Sequence, residues 1–186
     1  FNDEELSIQA YNIETVLAEK IETVISRAEA STRPRDRYDI YNLYKLRQNE
    51  IDMVISLHAC NTATDIAILK ALGWNAKVFF AVPCCQKEIN SQLGNEFLPF
   101  MLKHGIIKEK FSTLLTDSIR SEVLEAFGYK SDIVEFISEE NTPKNQLIRA
   151  YKTSTKLDKE KIKQIEKFTS SLNIKMFLLD EVAKLI

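Results

Sequence analysis

The spacing of apolar residues divides the chain into two parts near residue 51. Apolar side chains recur every three or four residues over residues 12–29, and a second helical pattern follows Pro34 and runs to about residue 48. This spacing indicates amphipathic helices, because side chains three and four positions apart share one helix face. The pattern therefore predicts an all-helical segment over residues 1–50.

Short apolar runs and helical patterns alternate after residue 51. Residues 52–57 and 77–82 are nearly continuous apolar runs bounded by turn residues, a pattern typical of strands covered on both faces. Residues 131–137 and 145–151 predict two further strands that pair as an antiparallel hairpin. Helices are predicted over residues 62–72, 86–92, 94–104, 112–127, 156–170 and 176–186. This order is that of an α/β domain, with the first two strands parallel.

Composition narrows the location and the partners that we expect. The net charge is −2, so bulk charge gives no support for nucleic-acid binding. No apolar run approaches the roughly 20 residues that a membrane span requires, and we expect no membrane partner. The three cysteines make no disulfide framework, which favours a reducing, cytoplasmic location.

Polar side chains are concentrated directly after the first two predicted strands. We call these two stretches, residues 58–65 and 83–86, the rim. Ligands of open α/β sheets bind beyond the carboxyl ends of the strands, so the two stretches are predicted to meet around a ligand. The candidate functional residues of the rim are His58, Cys60, Asn61, Thr62, Asp65, Pro83, Cys84, Cys85 and Gln86.

Cysteine and histidine in the rim suggest two chemistries. His58, Cys60, Cys84 and Cys85 offer one nitrogen and three sulfurs, but H-x-C and C-C are poor spacings for zinc, so no metal is expected. Cys84 or Cys85 is a candidate nucleophile if a helix start or a cation lowers the pKa of its thiol. Inert packing is the competing interpretation of both cysteines.

The remaining polar rim residues suggest contact with a ligand. His58, Thr62 and Asp65 are candidates to orient a substrate or the polar end of a cofactor. Thr62 and Asp65 also have the spacing of a capping box, in which side chains satisfy the first backbone amides of a helix. We favour capping for these two residues, and His58 is the stronger functional candidate.

Three segments of the chain resemble a family of class I S-adenosylmethionine-dependent methyltransferases. They are LHACNTATD at residues 57–65, AVPCCQ at residues 81–86 and TPKNQLIRA at residues 142–150. The family is similar to tRNA 2′-O-methyltransferases, and the resemblance covers about residues 50–186. It implies that residues 52–57 and 77–82 are the fourth and fifth strands of the methyltransferase sheet. In this sequence Asn61 stands where the family usually has Asp, and Lys87 where it often has His.

The same resemblance assigns roles to the rim. It implies S-adenosylmethionine as methyl donor and an acceptor, RNA among the candidates, at the rim. The catalytic candidates are His58, Cys84 and Cys85. The substrate-binding candidates are His58, Cys60, Asn61, Thr62, Asp65, Pro83 and Gln86.

A glycine-rich loop normally approaches the donor in this class of fold. No G-x-G occurs in this sequence, so the residues that bind the cofactor are unknown. The predicted fold class is α/β: a partial doubly wound, Rossmann-like methyltransferase sheet with an all-helical N-terminal segment. Such a sheet leaves an exposed edge at residues 52–57, which predicts either pairing with another copy of the chain or coverage by the two N-terminal helices.

The N-terminal segment resembles a second family, the AbiE-type nucleotidyltransferase toxins, over about residues 8–46. The matching motifs are AEK at residues 18–20 and RDRYD at residues 35–39, which imply active-site roles for Lys20 and Asp36. The Gly-Ser loop and Asp-x-Asp strand that hold the metal in that family are absent from this sequence. Residues 1–50 and 51–186 are thus predicted to be separate domains. Methyl transfer, a non-catalytic oligomerising module and nucleotidyl transfer remain open.

Overall fold

The computed structural model describes residues 51–57, 59–94, 98–136 and 145–186. Residues Ile51–Ile186 form one compact unit, whereas the helices predicted over residues 1–50 lie outside the described residues. The elements of this unit are β1 Met53–Leu57, α1 Thr62–Gly73, β2 Val78–Val82, α2 Lys87–Gln92, α3 Pro99–Leu102, α4 Gly105–Ala126, β3 Tyr129–Glu135, β4 Gln146–Lys152, α5 Lys159–Ser171 and α6 Phe177–Ala183.

The four strands form one mixed sheet in the order β1-β2-β4-β3. β1 and β2 are parallel, with Met53 opposite Val78 and Leu57 opposite Val82, which confirms the predicted parallel pair. β3 and β4 form the predicted antiparallel hairpin, and β4 also runs antiparallel to β2. This mixed α/β architecture is compatible with a Rossmann-like methyltransferase.

The core of the unit lies between the sheet and the helices around it. β2 is the best-covered strand, because Phe79, Ala81 and Val82 are all buried. β1 differs: Met53, Ile55 and Leu57 on one of its faces are 47%, 57% and 64% exposed. The prediction that residues 52–57 are covered on both faces is therefore wrong for β1, which is the edge strand of the described sheet. Among the described strands, β1 pairs with β2 alone.

Two helices differ from the sequence prediction. α4 begins at Gly105 rather than at residue 112, and α3 is a single turn within the predicted helix 94–104. Pro99 occupies the first turn of α3, where its missing amide hydrogen costs nothing, and proline disfavours helical backbone in the residue before it. No helix among the described residues is long and apolar enough to cross a membrane.

Candidate functional site

The parallel register brings the two stretches of the rim together at the carboxyl ends of β1 and β2. The Sγ atom of Cys60 lies 3.0 Å from the Sγ atom of Cys84, although the two residues are 24 positions apart. The sulfurs of Cys60, Cys84 and Cys85 all lie within 4.8 Å of one another. The structure thus brings these three rim residues together, whereas His58 lies outside the described residues.

Asn61 joins the two stretches of the rim. Its backbone nitrogen donates to the carbonyl oxygen of Cys85 at 3.1 Å. Its side-chain Oδ1 accepts from the backbone nitrogens of Lys87 at 2.8 Å and Glu88 at 3.3 Å, which caps the start of α2. Asn61 has a φ of 52°, a backbone region that asparagine tolerates better than most residues. The amide therefore serves as a hydrogen-bond acceptor at the position where the related family usually has Asp.

Asp65 is a buried ion-pair partner. Its carboxylate is fully buried, and Oδ1 accepts from Nε of Arg120 at 2.7 Å. α1 begins at Thr62 after the cap residue Asn61, and no side chain of the cap residue bonds to the first turn. The preferred capping-box interpretation of Thr62 and Asp65 is therefore wrong, because Thr62 lies inside the helix and the carboxylate of Asp65 faces α4.

Arg120 braces both stretches of the rim from beneath. The side chain is 1% exposed, and besides the bond to Asp65 it donates from Nη2 to the carbonyl oxygen of Asn61 at 2.8 Å. It also donates from Nη1 to Oδ1 of Asp117 at 2.9 Å. Asp117 in turn accepts at Oδ2 from the side-chain amide of Gln86 at 3.0 Å. One guanidinium thus connects the loop after β1 with the loop after β2.

Sequence reasoning missed Asp117 and Arg120. Both lie on the face of α4 that also buries Leu124, at a spacing of three and four residues. The sequence did offer a signal for them: charged residues on the buried face of an amphipathic helix indicate an ion pair, because such residues are seldom fully buried unless they are paired.

Burial and pairing act in opposite directions on the charges of this network. Burial raises the pKa of the Asp117 carboxyl, and the neighbouring Arg120 offsets part of that effect. Burial alone would lower the pKa of Arg120, but the hydrogen bonds and charges of Asp65 and Asp117 raise it. The guanidinium accordingly remains protonated at neutral pH.

The three thiols of the rim are not equivalent. Burial, with hydrogen bonds to Cys60 and Cys85, raises the pKa of Cys84 to about 12. The hydrogen bond to Cys84 lowers the pKa of Cys60, with smaller contributions from Cys85 and Lys87 in the same direction. Negative charge on this cluster therefore favours Cys60, and Cys84 is protonated at neutral pH. The catalytic roles given to Cys84 and Cys85 stay predictions.

A cavity of about 380 Å³ opens beside the thiols, between the loop after β2 and the first turns of α4. Gln86 lines it and is oriented by Thr113, whose hydroxyl donates to Oε1 of Gln86 at 3.2 Å. Asn90 lines it as well, and its amide donates to the hydroxyl of Ser112 at 3.0 Å. Lys87 lies on the same wall and is exposed.

Only some of the predicted rim residues reach this cavity. Cys84, Cys85 and Gln86 line it, among the described residues. Asn61, Asp65 and Pro83 are not among the residues that line it: Pro83 is buried in the loop after β2, Asn61 caps α2 and Asp65 pairs with Arg120. Their substrate-binding roles stay predictions. The substrate-binding roles of Cys60 and Thr62 stay predictions.

Comparison with known proteins gives one match. A family model described as a methyltransferase domain matches residues 2–92. No curated protein and no solved structure shows significant similarity to the chain. The matched span includes β1, α1, β2, α2 and the rim. It also includes residues 8–46, where the resemblance to nucleotidyltransferase toxins stays a prediction.

The match supports the resemblance to methyltransferases and leaves the resemblance to nucleotidyltransferases untested. Lys20 and Asp36 lie outside the described residues, and their nucleotidyltransferase roles stay a prediction. The TPKNQLIRA segment lies beyond the matched residues, so its assignment also rests on resemblance alone. What the match over residues 2–92 supports is a methyltransferase family and a methyltransferase-like function for this chain.

Proposed function

We propose that this chain is an S-adenosylmethionine-dependent methyltransferase whose described residues form the acceptor side of the site. One observation carries the proposal: the span that matches a methyltransferase domain contains both stretches of the rim. Asn61 and Arg120 hold those stretches in one fixed arrangement beside a cavity. Methyl transfer depends largely on positioning of donor and acceptor, and a braced rim suits that task.

The cavity favours a small polar acceptor group. Its volume of about 380 Å³ is at the lower end of the range for small-molecule sites. The side-chain amides of Gln86 and Asn90 and the hydroxyl of Thr113 offer hydrogen bonds to a base or a sugar. The exposed ammonium group of Lys87 at this wall suits a phosphate, so a nucleotide of an RNA chain is the acceptor that we propose to test.

The donor that we propose is S-adenosylmethionine. S-adenosylmethionine supplies an electrophilic methyl group to enzymes of this class. The glycine-rich loop that approaches it is absent from this sequence, and none of the described residues forms such a loop. The described residues therefore fit the acceptor side, and we assign no residue to donor binding.

Calorimetric titration of the whole chain with S-adenosylmethionine and with its demethylated product tests the proposal. Binding in the micromolar range, about −8 kcal/mol, is the expected result. Methionine and adenosine titrated separately are the matched control ligands, since each carries only part of the donor. Absence of heat at millimolar donor would contradict a methyltransferase role for this chain alone.

Transfer of a labelled methyl group to RNA tests the acceptor. His58→Ala is expected to reduce transfer by about 100-fold or more if His58 is the base, with no comparable change in melting temperature. His104→Ala is the matched control, because these are the two histidines of the chain and His104 is exposed at the start of α4. Equal activity of the two variants would remove His58 from the mechanism.

A second candidate function, a non-catalytic oligomerising module, is favoured by the exposed face of β1. Met53, Ile55 and Leu57 are 47%, 57% and 64% exposed on adjacent outward positions of an edge strand. Such edges pair readily with a second copy of the same strand. Light scattering over a range of concentrations should then show a dimer that Ile55→Lys dissociates. A monomer at all concentrations would exclude this role.

A further inference from the structure

Three thiols that are scattered in sequence converge at one point of the rim. Cys60 comes from the loop after β1, and Cys84 and Cys85 come from the loop after β2. The three sulfurs lie within 4.8 Å of one another, and they are all the cysteines that the chain possesses. The parallel pairing of β1 with β2 creates this cluster, so the sequence spacings H-x-C and C-C say little about it.

The separations of the sulfurs in the cluster are compatible with one shared metal ion. Two thiolates on one tetrahedral zinc ion lie about 3.8 Å apart, because each Zn–S bond is about 2.3 Å long. The Cys60 and Cys84 sulfurs are 3.0 Å apart, while a disulfide bond measures about 2.05 Å. A shift of less than about 1 Å would bring this pair to the separation that zinc requires.

The surroundings of the cluster also allow a metal ion to bind, and a thiol that coordinates the ion releases its proton to solvent. Cys60 is exposed and Cys84 and Cys85 are half-buried, so an ion has access to the sulfurs from solvent. Lys87 is close enough to interact electrostatically with Cys60, and its positive charge offsets the net charge of −1 on a zinc tris-thiolate. Asn61 and Arg120 hold the backbones of both loops, which limits the reorganisation needed for binding.

We propose that Cys60, Cys84 and Cys85 bind one zinc-like metal ion through three thiolates and leave its fourth position open toward the cavity. Cys84 and Cys85 belong both to the cluster and to the wall of the cavity, which sets the direction of the open position. Three protein ligands with one open position are typical of catalytic rather than structural zinc. The fourth ligand would be water or a small group of the molecule in the cavity. This site does not depend on donor binding and can exist whether or not the chain transfers methyl groups.

Titration of the reduced whole chain with Co²⁺ under anaerobic conditions tests the site. Co²⁺ replaces Zn²⁺ with the same geometry and gives a thiolate-to-cobalt charge-transfer absorption and visible bands of tetrahedral cobalt. We expect saturation at one equivalent, an intensity that corresponds to three thiolates, and displacement by one equivalent of Zn²⁺. A shift of the visible bands on addition of a small thiol is expected from the open fourth position.

Variants assign the ligands. Cys60→Ser, Cys84→Ser and Cys85→Ser should each weaken binding by more than about 10-fold and remove one thiolate from the absorption. His104→Ala should leave affinity and spectrum unchanged, and circular dichroism of each variant shows whether it is folded.

Several results would overturn the proposal. No thiolate absorption at stoichiometric Co²⁺ in the wild-type chain would do so without reference to any variant. Equal binding by a chain with all three cysteines replaced would do so too. Visible bands that no small thiol perturbs would contradict the open position.

Discussion

Arg120→Met is a direct test of the brace beneath the rim. The side chain of Arg120 is 1% exposed and donates to Asp65, Asp117 and the carbonyl oxygen of Asn61. Methionine keeps most of the length of the side chain and removes the charge. The variant leaves two buried carboxylates without their cation, and removing one partner of a buried ion pair costs about 3–5 kcal/mol. Domains of this kind have a total stability of about 5–15 kcal/mol, so the loss should be large.

Lys77→Met is the matched control for this substitution. Lys77 forms an ion pair with Asp52 at 2.7 Å, but the two side chains are 77% and 72% exposed. Exposed pairs contribute about 0–1 kcal/mol, because water and salt screen them. Comparison of the two variants therefore separates burial from charge loss as the cause of any effect.

Urea unfolding, followed by circular dichroism, measures the difference. We expect the free energy of unfolding to fall by several kcal/mol in Arg120→Met and by less than about 1 kcal/mol in Lys77→Met. Asp65→Asn serves if Arg120→Met fails to fold; it keeps an oxygen for Arg120 and should cost about 1–3 kcal/mol. The reasoning is refuted if Arg120→Met is no less stable than Lys77→Met.

The remaining predictions concern the turns and the start of α2. Gly128 has a φ of +84°, and a Cβ there would lie 2.2 Å from the carbonyl oxygen of Ser154. Gly128→Ala should therefore lower the free energy of unfolding, measured in urea, by more than about 1 kcal/mol. Gly73→Ala is the control and should not have this effect, because a Cβ on Gly73 would have nothing within 4 Å. Asn61→Ala should lower stability by about 0.5–2 kcal/mol through loss of the α2 cap, whereas Asn61→Asp should retain it; equal losses would refute the capping role. Burial raises the pKa of the Glu88 carboxyl above 4.5, so the unfolded state releases this proton first and stability falls as the pH rises from 4.5 through the folded-state pKa. Glu88→Gln should flatten that part of the stability–pH curve, measured by urea midpoints at successive pH values; an unchanged curve would contradict the shift.

Local patterns in the sequence predict the elements of residues 51–186 better than their arrangement. The apolar runs at residues 52–57 and 77–82 give β1 and β2, and their polar ends give the rim. The position of β4 between β2 and β3 depends on pairing between distant segments, which hydrophobic periodicity does not encode. The start of α4 was missed because Ile106 is 69% exposed and Ile107 36%, so apolar residues there do not follow the buried stripe.

In the candidate site, too, contacts that follow from the order of the strands could be predicted, and contacts made by tertiary packing could not. The convergence of Cys60 with Cys84 follows from parallel strands and could be predicted. The bond between Asp65 and Arg120 joins residues 55 positions apart, and the spacing of Thr62 and Asp65 suggested a local cap instead. Tertiary packing decides the partner of a buried carboxylate, since the local backbone donors have to compete for it with a buried guanidinium that has no water to bond to.

The roles proposed for the three thiols compete, because one sulfur atom cannot bind a metal ion and act as a covalent nucleophile at the same time. A thiolate bound to a metal ion is unavailable as a covalent nucleophile, and a nucleophilic Cys84 would have to lose a proton whose pKa burial raises to about 12. Binding of Co²⁺ by all three cysteines would therefore assign Cys84 and Cys85 to coordination rather than to nucleophilic attack. Donor binding without metal binding would instead return the cluster to the role of a polar wall beside the acceptor. The metal titration and the donor titration together distinguish these mechanisms on the wild-type chain, without any substitution that disturbs the brace at Arg120.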